Sequence, residues 1–406
     1  MSSVFDTLLE RGFIAQTSNE INLRKLLETE QVTFYVGFDP TADSLTAGHF
    51  IPVMAMAHLQ RAGHRPIVLV GGGTGFVGDP TDKTELRRIM PHEEIQHNCD
   101  CFKRQLSKFL DFSNDRAIMV NNADWLLELK YVPFIREYGI HFSVNKMLTA
   151  DAYRSRFERG LTFFEFNYML MQAYDFLELF RRYNCKLQMG GNDQWSNILA
   201  GADLIRRVEN AEAECMTYIL LTTNDGQKMG KSQKGAVWLD REKTPPFEFF
   251  QYWRNVDDAD VVKFLKLLTF LPMAEINEMS KWSGSELNRA KEILAFELTK
   301  IIHSEEDAVL ALKAAHELFG GGAQGGSVPE TQISAEEWGN GINIIDALIK
   351  TGLIASRSDG RRLIAQGAVR VNDKKVENFE QIIELCDNTA LIQKGKKVFH
   401  RIKITQ

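Results

Sequence analysis

Apolar residues in the first half of the chain follow two alternating patterns, short strand-like segments and longer segments with helical spacing. The short segments, which stop at glycine or asparagine, are residues 33–36, 117–120, 186–189 and the continuously apolar run 66–70. Runs of this kind are typical of buried parallel strands. Helical periodicity follows three of them and is also strong over residues 163–183. The pattern predicts an α/β fold whose first domain, residues 1–245, is built on a Rossmann-like parallel sheet.

The other segments extend this plan in both directions along the chain. Residues 8–27 have apolar side chains at helical spacing, which predicts one helix ahead of the first strand. A helical insertion is expected at about 125–160, and a polar, glycine-bearing loop at 223–235. The remaining sequence predicts an α-helical domain at 246–319, a flexible Gly-rich linker at 320–340, and a small C-terminal α+β domain at 341–406.

Composition narrows the class of protein. A hydrophobic fraction of 44% over 406 residues is that of an ordinary globular protein with two or three domains. The five cysteines are odd in number and lack C-x-x-C spacing, which argues against a disulfide framework or a zinc site. No basic-then-apolar leader or membrane-length apolar run is apparent. We therefore expect a cytoplasmic protein without membrane association.

Charge is distributed unevenly along the chain. The formal net charge is -6, but residues 341–406 hold 12 basic and 7 acidic side chains, a net charge of +5 that leaves -11 for residues 1–340. Arg357, Arg361 and Arg362 cluster on one predicted helix of this basic tail. A basic tail on an acidic body favours contact with RNA, although general solubility is an alternative explanation.

Polar turns follow the predicted strands at the edge where ligands bind in open α/β sheets. The first turn leads into a helix through Gly48 and His49, and backbone N–H groups at a helix start suit phosphate. Another turn, at residues 190–194, also carries glycines, an acid and an amide. A purely structural turn with a capping histidine would have a similar sequence.

A second glycine pattern offers a rival function. Gly73, Gly75 and Gly78 fit G-x-G-x-x-G, the fingerprint of nicotinamide or flavin enzymes. The pattern follows the second predicted strand, however. The position about 20 residues further on, where an acid should meet the ribose, falls within a predicted helix. A glycine turn that allows close backbone approach fits better than a dinucleotide site.

The predicted helix at 163–183 is apolar on nearly every side, yet Tyr168, Gln172 and Asp175 share one face. Buried polar groups need partners, which are either other side chains or a polar ligand. The loop at 223–235 contains Lys228, Lys231 and Ser232. These lysines could neutralise charge that develops on a triphosphate, or they could simply be solvated.

Together these motifs resemble the class I aminoacyl-tRNA synthetases. Thr46-Ala47-Gly48-His49 resembles their His-Ile-Gly-His signature, with Thr46 in place of the first histidine, and residues 228–232 resemble their Lys-Met-Ser-Lys-Ser loop. The tyrosine-specific branch of the family is similar along the whole chain. The further motifs that carry this likeness are residues 35–41, 78–80 and 190–195, with Tyr168, Gln172 and Asp175.

The resemblance implies a two-step reaction. Tyrosine and ATP, with Mg²⁺, would form tyrosyl-adenylate and pyrophosphate, and the tyrosyl group would then pass to the 3′ end of tRNA(Tyr). ATP would be a substrate, with no tightly bound cofactor and no protein metal site. The helical domain would bind the anticodon, the tail would resemble a ribosomal-protein RNA-binding domain, and the insertion would form a homodimer interface.

The resemblance also implies roles for individual residues. Those expected to bind tyrosine are Tyr35, Asp79, Tyr168, Gln172, Asp175 and Gln194. Those expected to line the ATP site are Gly37, Asp39, Gly48, His49, Gly191, Asp193 and Lys231. The catalytic set that would act with His49 on the reacting phosphates is Thr41, Thr46, Lys228, Lys231 and Ser232. RNA contacts are expected from Arg357, Arg361 and Arg362.

None of these residues is placed as a nucleophile. The substrate carboxylate itself attacks the α-phosphate, so catalysis would consist of positioning and charge stabilisation. A non-catalytic RNA-binding relative remains an alternative, against which the presence of Asp175, Gln194 and Lys231 speaks.

Overall fold

The computed structural model describes residues 3–76, 91–150, 153–154, 160–223, 226, 229, 231–232, 235–319, 329–339, 341–372, 374–386, 388–395 and 398–405. The chain forms two compact units, Met1–Glu305 and Glu306–Gln406. Within the described residues, no helix has the length and apolar character needed to cross a membrane.

A six-stranded sheet forms the centre of the first unit. Its strands are β1 (Ile14–Thr17), β2 (Thr33–Phe38), β3 (Arg65–Val70), β4 (Ile118–Asn121), β5 (Cys185–Gly191) and β6 (Glu214–Tyr218). They lie in the order β1-β6-β5-β2-β3-β4, and all neighbours are parallel except β1 and β6. The strand order reverses between β2 and β5, which is where open α/β sheets bind ligands. The predicted Rossmann-like sheet is confirmed.

Helices surround this sheet and continue beyond it. Up to the last strand they are α1 (Val4–Arg11), α2 (Glu20–Thr29), α3 (Phe50–Arg61), α4 (His92–Leu106), α5 (Ala123–Leu126), α6 (Tyr131–Glu137), α7 (Val144–Leu148), α8 (Phe163–Phe166), α9 (Tyr168–Tyr183) and α10 (Trp195–Glu209). A short hairpin of β7 (Lys231–Ser232) and β8 (Gly235–Ala236) follows. Then come α11 (Pro246–Arg254), α12 (Val261–Leu268), α13 (Met273–Met279), α14 (Ser285–Ile302) and α15 (Glu305–Phe319).

The prediction of one helix over residues 8–27 is wrong. Helix α1 ends at Gly12, whose φ of +83° is a left-handed conformation that suits glycine. The chain then runs as β1 along the edge of the sheet, pairing with β6. Ile21, expected in an apolar stripe, is 79% exposed on α2. The helical spacing of apolar residues across 8–27 therefore does not reflect one helix, because strand β1 lies in the middle of this range.

Helices α11 to α14 belong to the same compact unit as the sheet. The indole of Trp253 on α11 meets the ring of Phe50 on α3, with centroids 5.6 Å apart. The guanidinium of Arg11 donates to the carbonyl oxygens of Thr269 and Leu271 at 2.9 and 2.6 Å. The helical domain predicted at residue 246 is therefore packed onto the sheet domain over most of its length.

The second unit contains a five-stranded sheet of order β11-β10-β12-β13-β9. Its elements are β9 (Glu330–Ser334), α16 (Ala335–Trp338), α17 (Ile344–Lys350), α18 (Arg357–Ala365), β10 (Val369–Val371), β11 (Lys374–Lys375), β12 (Thr389–Lys394) and β13 (Val398–Thr405). The predicted α+β domain is confirmed, but it starts earlier than residue 341. Strand β9 pairs in parallel with β13 and buries Ile333, so the end of the predicted linker is part of the fold.

Candidate active site

A buried carboxylate lies at the centre of the site. Asp175, on the inner face of α9, is 2% exposed. Its two carboxylate oxygens accept hydrogen bonds from Nδ2 of Asn122 at 2.9 Å and from Nε1 of Trp125 at 2.7 Å. Burial raises the pKa of Asp175 to about 7, and these two donors oppose the shift. The carboxylate keeps further lone pairs for a polar ligand.

Asn122 and Trp125 were not predicted as site residues. They follow β4 directly, at the same sheet edge as the turn after β3. The amide oxygen of Asn122 accepts from the backbone N–H of Gly73 at 2.7 Å, so one side chain joins this turn to Asp175. Their position after a strand was the available signal, but their contacts with α9 span 53 and 50 residues.

Tyr35 is the second polar group of this pocket. It lies on β2, is 1% exposed, and its hydroxyl has no hydrogen-bond partner among the described residues. Burial raises the pKa of Tyr35 well above its ordinary value, and the neighbouring charge of Asp175 acts in the same direction. Tyr168, also buried, lies near enough to contribute. Within the part of the chain that the structure describes, the buried amide oxygen of Gln172, on the same helix as Asp175, also has no hydrogen-bond partner, so both groups could accept a polar ligand.

The turn between β2 and α3 places Thr46 against His49. The backbone N–H of Thr46 donates to Nδ1 of His49 at 3.0 Å, and its hydroxyl oxygen lies 3.1 Å from the same nitrogen. Because Nδ1 accepts an N–H, a neutral His49 carries its proton on Nε2. Burial lowers the pKa of His49, which favours this neutral form.

Helix α4 supports this turn from behind. Asn98 donates to the carbonyl oxygen of Pro40 at 2.8 Å, and Oε1 of Gln105 accepts from the N–H of Leu45 at 2.9 Å. On the other side, the N–H of Ala47 donates to the carbonyl oxygen of Val237 at 2.8 Å. The side-chain amides of Asn98 and Gln105 and the backbone hydrogen bond from Ala47 to Val237 therefore hold the turn in place. Thr41 and Gly48, in the same turn, are exposed.

The glycines after β3 serve close packing. A Cβ at Gly71 would stand 2.8 Å from Oδ1 of Asp39, and one at Gly72 would stand 2.2 Å from Oδ1 of Asn121. The N–H of Gly73 is already bonded to Asn122 rather than free for a pyrophosphate. These contacts argue against the dinucleotide fingerprint. Gly78, its last glycine, lies outside the described residues.

The turn after β5 brings a third group of predicted residues to the same edge. Gly190 ends the buried part of the strand, and a Cβ there would lie 3.4 Å from Cβ of Gln194. At Gly191 a Cβ would collide with the Asp193 carboxylate at 2.5 Å. The amide oxygen of Gln194 accepts from Nδ2 of Asn197 at 3.1 Å. Gly37, on β2 beside this turn, is exposed.

The remaining predicted residues are described only in part. Asp79 and Lys228 lie outside the described residues. Lys231 and Ser232 form β7, and the structure describes their backbone but not their side chains. Among the described residues, no cluster of three metal-ligating side chains occurs, and all five cysteines are free thiols.

The three predicted RNA-binding arginines all lie on α18 in the second unit. Arg357 pairs with Asp346, and Arg362 pairs with Asp359 at 2.9 Å, while both arginine side chains stay about two-thirds exposed. The guanidinium of Arg361 lies 5.3 Å from the ring centre of Phe379. The helix thus presents three ordered guanidinium groups at the surface.

The strand order, the Gly-His start of α3 and the polar pocket beneath it define a class I aminoacyl-tRNA synthetase. A family model for class I tRNA synthetases of the tryptophan and tyrosine type matches residues 27–320, and a model for the C-terminal domain of tyrosine–tRNA ligases matches residues 323–402. The chain belongs to the tyrosine–tRNA ligase family.

Individual relatives agree along the full length. The chain is 59% identical to the tyrosine–tRNA ligase of Acetivibrio thermocellus and 56% identical to that of Clostridium botulinum, and each alignment covers all of both chains. Among solved structures, a C-terminally truncated mitochondrial tyrosyl-tRNA synthetase of Aspergillus nidulans matches with a TM-score of 0.70 and 29% identity. This alignment covers 79% of the chain and 95% of that structure. The predicted family and enzyme class are confirmed, and the dinucleotide and non-catalytic alternatives lose their support.

Proposed function

We propose that this chain activates tyrosine in the pocket around Asp175 and transfers it to tRNA(Tyr). The observation that carries the proposal is the buried, hydrogen-bonded carboxylate of Asp175 together with the buried hydroxyl of Tyr35, which has no hydrogen-bond partner among the described residues. A phenol O–H entering between them would donate to the carboxylate and accept from Tyr35. Both polar groups would then be satisfied, which an apolar ring could not achieve.

The rest of the amino acid would extend toward the nucleotide face. Gln172, Tyr168 and Asp79 would bind the substrate ammonium, and Gln194 would face its carboxylate. The buried amide oxygen of Gln172 has the correct polarity for an ammonium donor. The substrate carboxylate would thereby be oriented for attack on the α-phosphate of ATP.

ATP, bound with its Mg²⁺, would lie across the turns that follow β2 and β5. Asp39, Gly48 and His49 would form one wall, and Gly191 and Asp193 the other. Gly37 would allow close approach from below. In the attack, the bond between the α-phosphorus and the bridging oxygen breaks and pyrophosphate leaves. Thr41, Thr46, Lys228, Lys231 and Ser232 would meet the charge that grows on the leaving group.

The direct test of this function is tyrosine-dependent exchange between pyrophosphate and ATP. We expect exchange with tyrosine and none with tryptophan, and Tyr35→Phe should reduce the preference for tyrosine over phenylalanine. A purified full-length chain without any tyrosine-dependent exchange would contradict the proposal.

RNA binding would involve the helical segment α11 to α14 and the basic face of α18. Truncation after Phe319, which removes the whole C-terminal sheet including β9, should leave pyrophosphate exchange within about twofold. Charging of tRNA(Tyr) should fall by more than about a hundredfold, because phosphate contacts supply much of the affinity. The triple change R357Q/R361Q/R362Q should weaken tRNA binding and flatten its salt dependence. Normal charging by the truncated protein would assign the tail another role.

A homodimer is proposed through the insertion. Its surface carries a group of large apolar side chains that are more than half exposed, Leu127, Tyr131, Val132, Ile140 and Val144. A group of large exposed apolar side chains within one short segment is typical of an interface. Val132→Asp, placed on a side chain that is 71% exposed, should shift the sedimenting species to the monomer without unfolding it.

Free cysteines support a reducing, cytoplasmic setting.

A further inference from the structure

Helix α12 contacts the segment that carries the two signature lysines. Nζ of Lys263 donates to the carbonyl oxygen of Thr222 at 2.8 Å. Thr222 lies immediately before the loop predicted at 223–235. An ammonium group bonded to a backbone carbonyl makes a charge-assisted hydrogen bond, which is stronger than a neutral one.

Two further contacts hold the same segment. The N–H of Met229 donates to the carbonyl oxygen of Leu221 at 2.8 Å, so the chain folds back on its own start. The hydroxyl of Tyr252 on α11 lies 3.6 Å from Sδ of Met229. On the other side, the carbonyl oxygen of Met229 would stand 3.4 Å from a Cβ at Gly48. Met229, in the described part of the segment, therefore lies between α11 and the signature turn, which is the turn from β2 to α3 that contains Gly48.

Helix α12 is itself firmly anchored. Phe264, Leu267 and Leu268 are buried, and Arg11 donates to the carbonyl oxygens of Lys266 and Thr269 at 2.8 and 2.9 Å. Lys263 thus extends from an element that is fixed to the N-terminal helix and to the core. A lysine on such an element can set the position of a neighbouring backbone.

We propose that Lys263 is a positioning residue for adenylate formation, which holds the start of the 221–236 segment so that Lys231 reaches the leaving phosphates. The inference rests on the proposed role of Lys231. Lys263 does not touch the substrates. Its loss leaves the Thr222 carbonyl without this donor, which removes the charge-assisted hydrogen bond between α12 and the start of the segment.

Single-turnover adenylate formation tests the proposal in the full-length enzyme. Lys263→Met, which keeps the length of the side chain and removes the donor, should slow the reaction about tenfold. The equilibrium dissociation constant for tyrosine should stay within about twofold, because the tyrosine pocket is built on other elements. Lys263→Arg should restore most of the rate. Lys266→Met, one turn further along the same helix, is the matched control and should have little effect.

A double-mutant cycle separates this proposal from the function on which it rests. In a Lys231→Ala background, Lys263→Met should cost less than about threefold, since the group that it positions is gone. Full additivity of the two changes, or an unchanged rate in Lys263→Met alone, would overturn the positioning role. An unchanged rate in Lys231→Ala alone would instead contradict the proposed function of the loop. A weaker tyrosine affinity in Lys263→Met would indicate general structural damage and also count against the proposal.

Discussion

The proposed amino-acid end and the proposed nucleotide end of the site are built differently. Around Asp175 on α9, the buried side chains of Asn122 and Trp125, which follow β4, donate to the carboxylate, and the buried hydroxyl of Tyr35 on β2 has no hydrogen-bond partner among the described residues. At the proposed nucleotide end, the turn after β2 has Thr41 and Gly48 exposed, and the signature lysines come from the separate segment at 223–235. Recognition of a hydroxyl group needs polar side chains that are shielded from water and held in position before the ligand binds. Stabilisation of a leaving pyrophosphate needs charge that acts mainly in the transition state.

This comparison predicts that mutations at the nucleotide end change rate without changing tyrosine affinity. Lys231→Ala should slow adenylate formation by about a hundredfold or more, the usual effect of losing a transition-state donor. Tyrosine binding measured by equilibrium dialysis should remain close to wild type. Comparable losses in rate and tyrosine affinity would show that the two ends are not independent.

Mutations at the amino-acid end should act on selectivity. Tyr35→Phe and Asp175→Ala should each lower the ratio of kcat/KM for tyrosine to that for phenylalanine by about tenfold or more. A site built for a hydroxyl pays for its absence with unpaired polar groups, an effect for which this enzyme family is itself a standard example. Pyrophosphate exchange with both amino acids measures the ratio. Unchanged selectivity in both variants would remove the phenol-site assignment.

These two ends also differed in how far the sequence predicted them. Each proposed nucleotide-binding turn is one continuous stretch of sequence, so Gly48 and His49 could be identified from a short motif. Asp175 was identified from helical spacing, but its donors Asn122 and Trp125 lie 53 and 50 residues away. Such pairing depends on how β4 and α9 pack, which no local pattern specifies.

The same limit applies to the fold. The structure contains all four strands that were predicted for the central sheet, but β6 was not predicted, although all five of its residues are buried. The edge strands β1 and β9 were missed because each is short and only partly buried, so its sequence lacks a continuous apolar run. Their strand geometry comes from pairing with β6 and β13, which is a tertiary effect.

The raised pKa of Asp175 gives the amino-acid end a pH dependence that the nucleotide end should lack. The pKa is about 7 in the free protein, and a phenol that donates to the ionised carboxylate lowers it in the complex. Binding therefore releases a proton, and tyrosine affinity should fall as the pH drops below 7, by at most about tenfold per unit. Phenylalanine lacks the phenol, so its inhibition constant should vary much less. Equal pH profiles for the two ligands would contradict the assignment.

The smallest effect is expected at Thr46, where this chain departs from the family signature. Its N–H and hydroxyl both meet Nδ1 of His49, so the residue already helps to orient the neighbouring imidazole. A histidine at this position would keep the backbone donor and lose the hydroxyl, while its longer side chain could reach a phosphate. These changes oppose each other, and in the proposed function Thr41, Lys228 and Lys231 would supply other donors to the phosphates. We therefore expect Thr46→His to change the rate of adenylate formation by less than about tenfold, or under roughly 1.4 kcal/mol. A larger acceleration in pre-steady-state measurements would show that threonine is a true deficit at the nucleotide end. A larger loss would show that the hydroxyl contact to His49 matters more than any added reach.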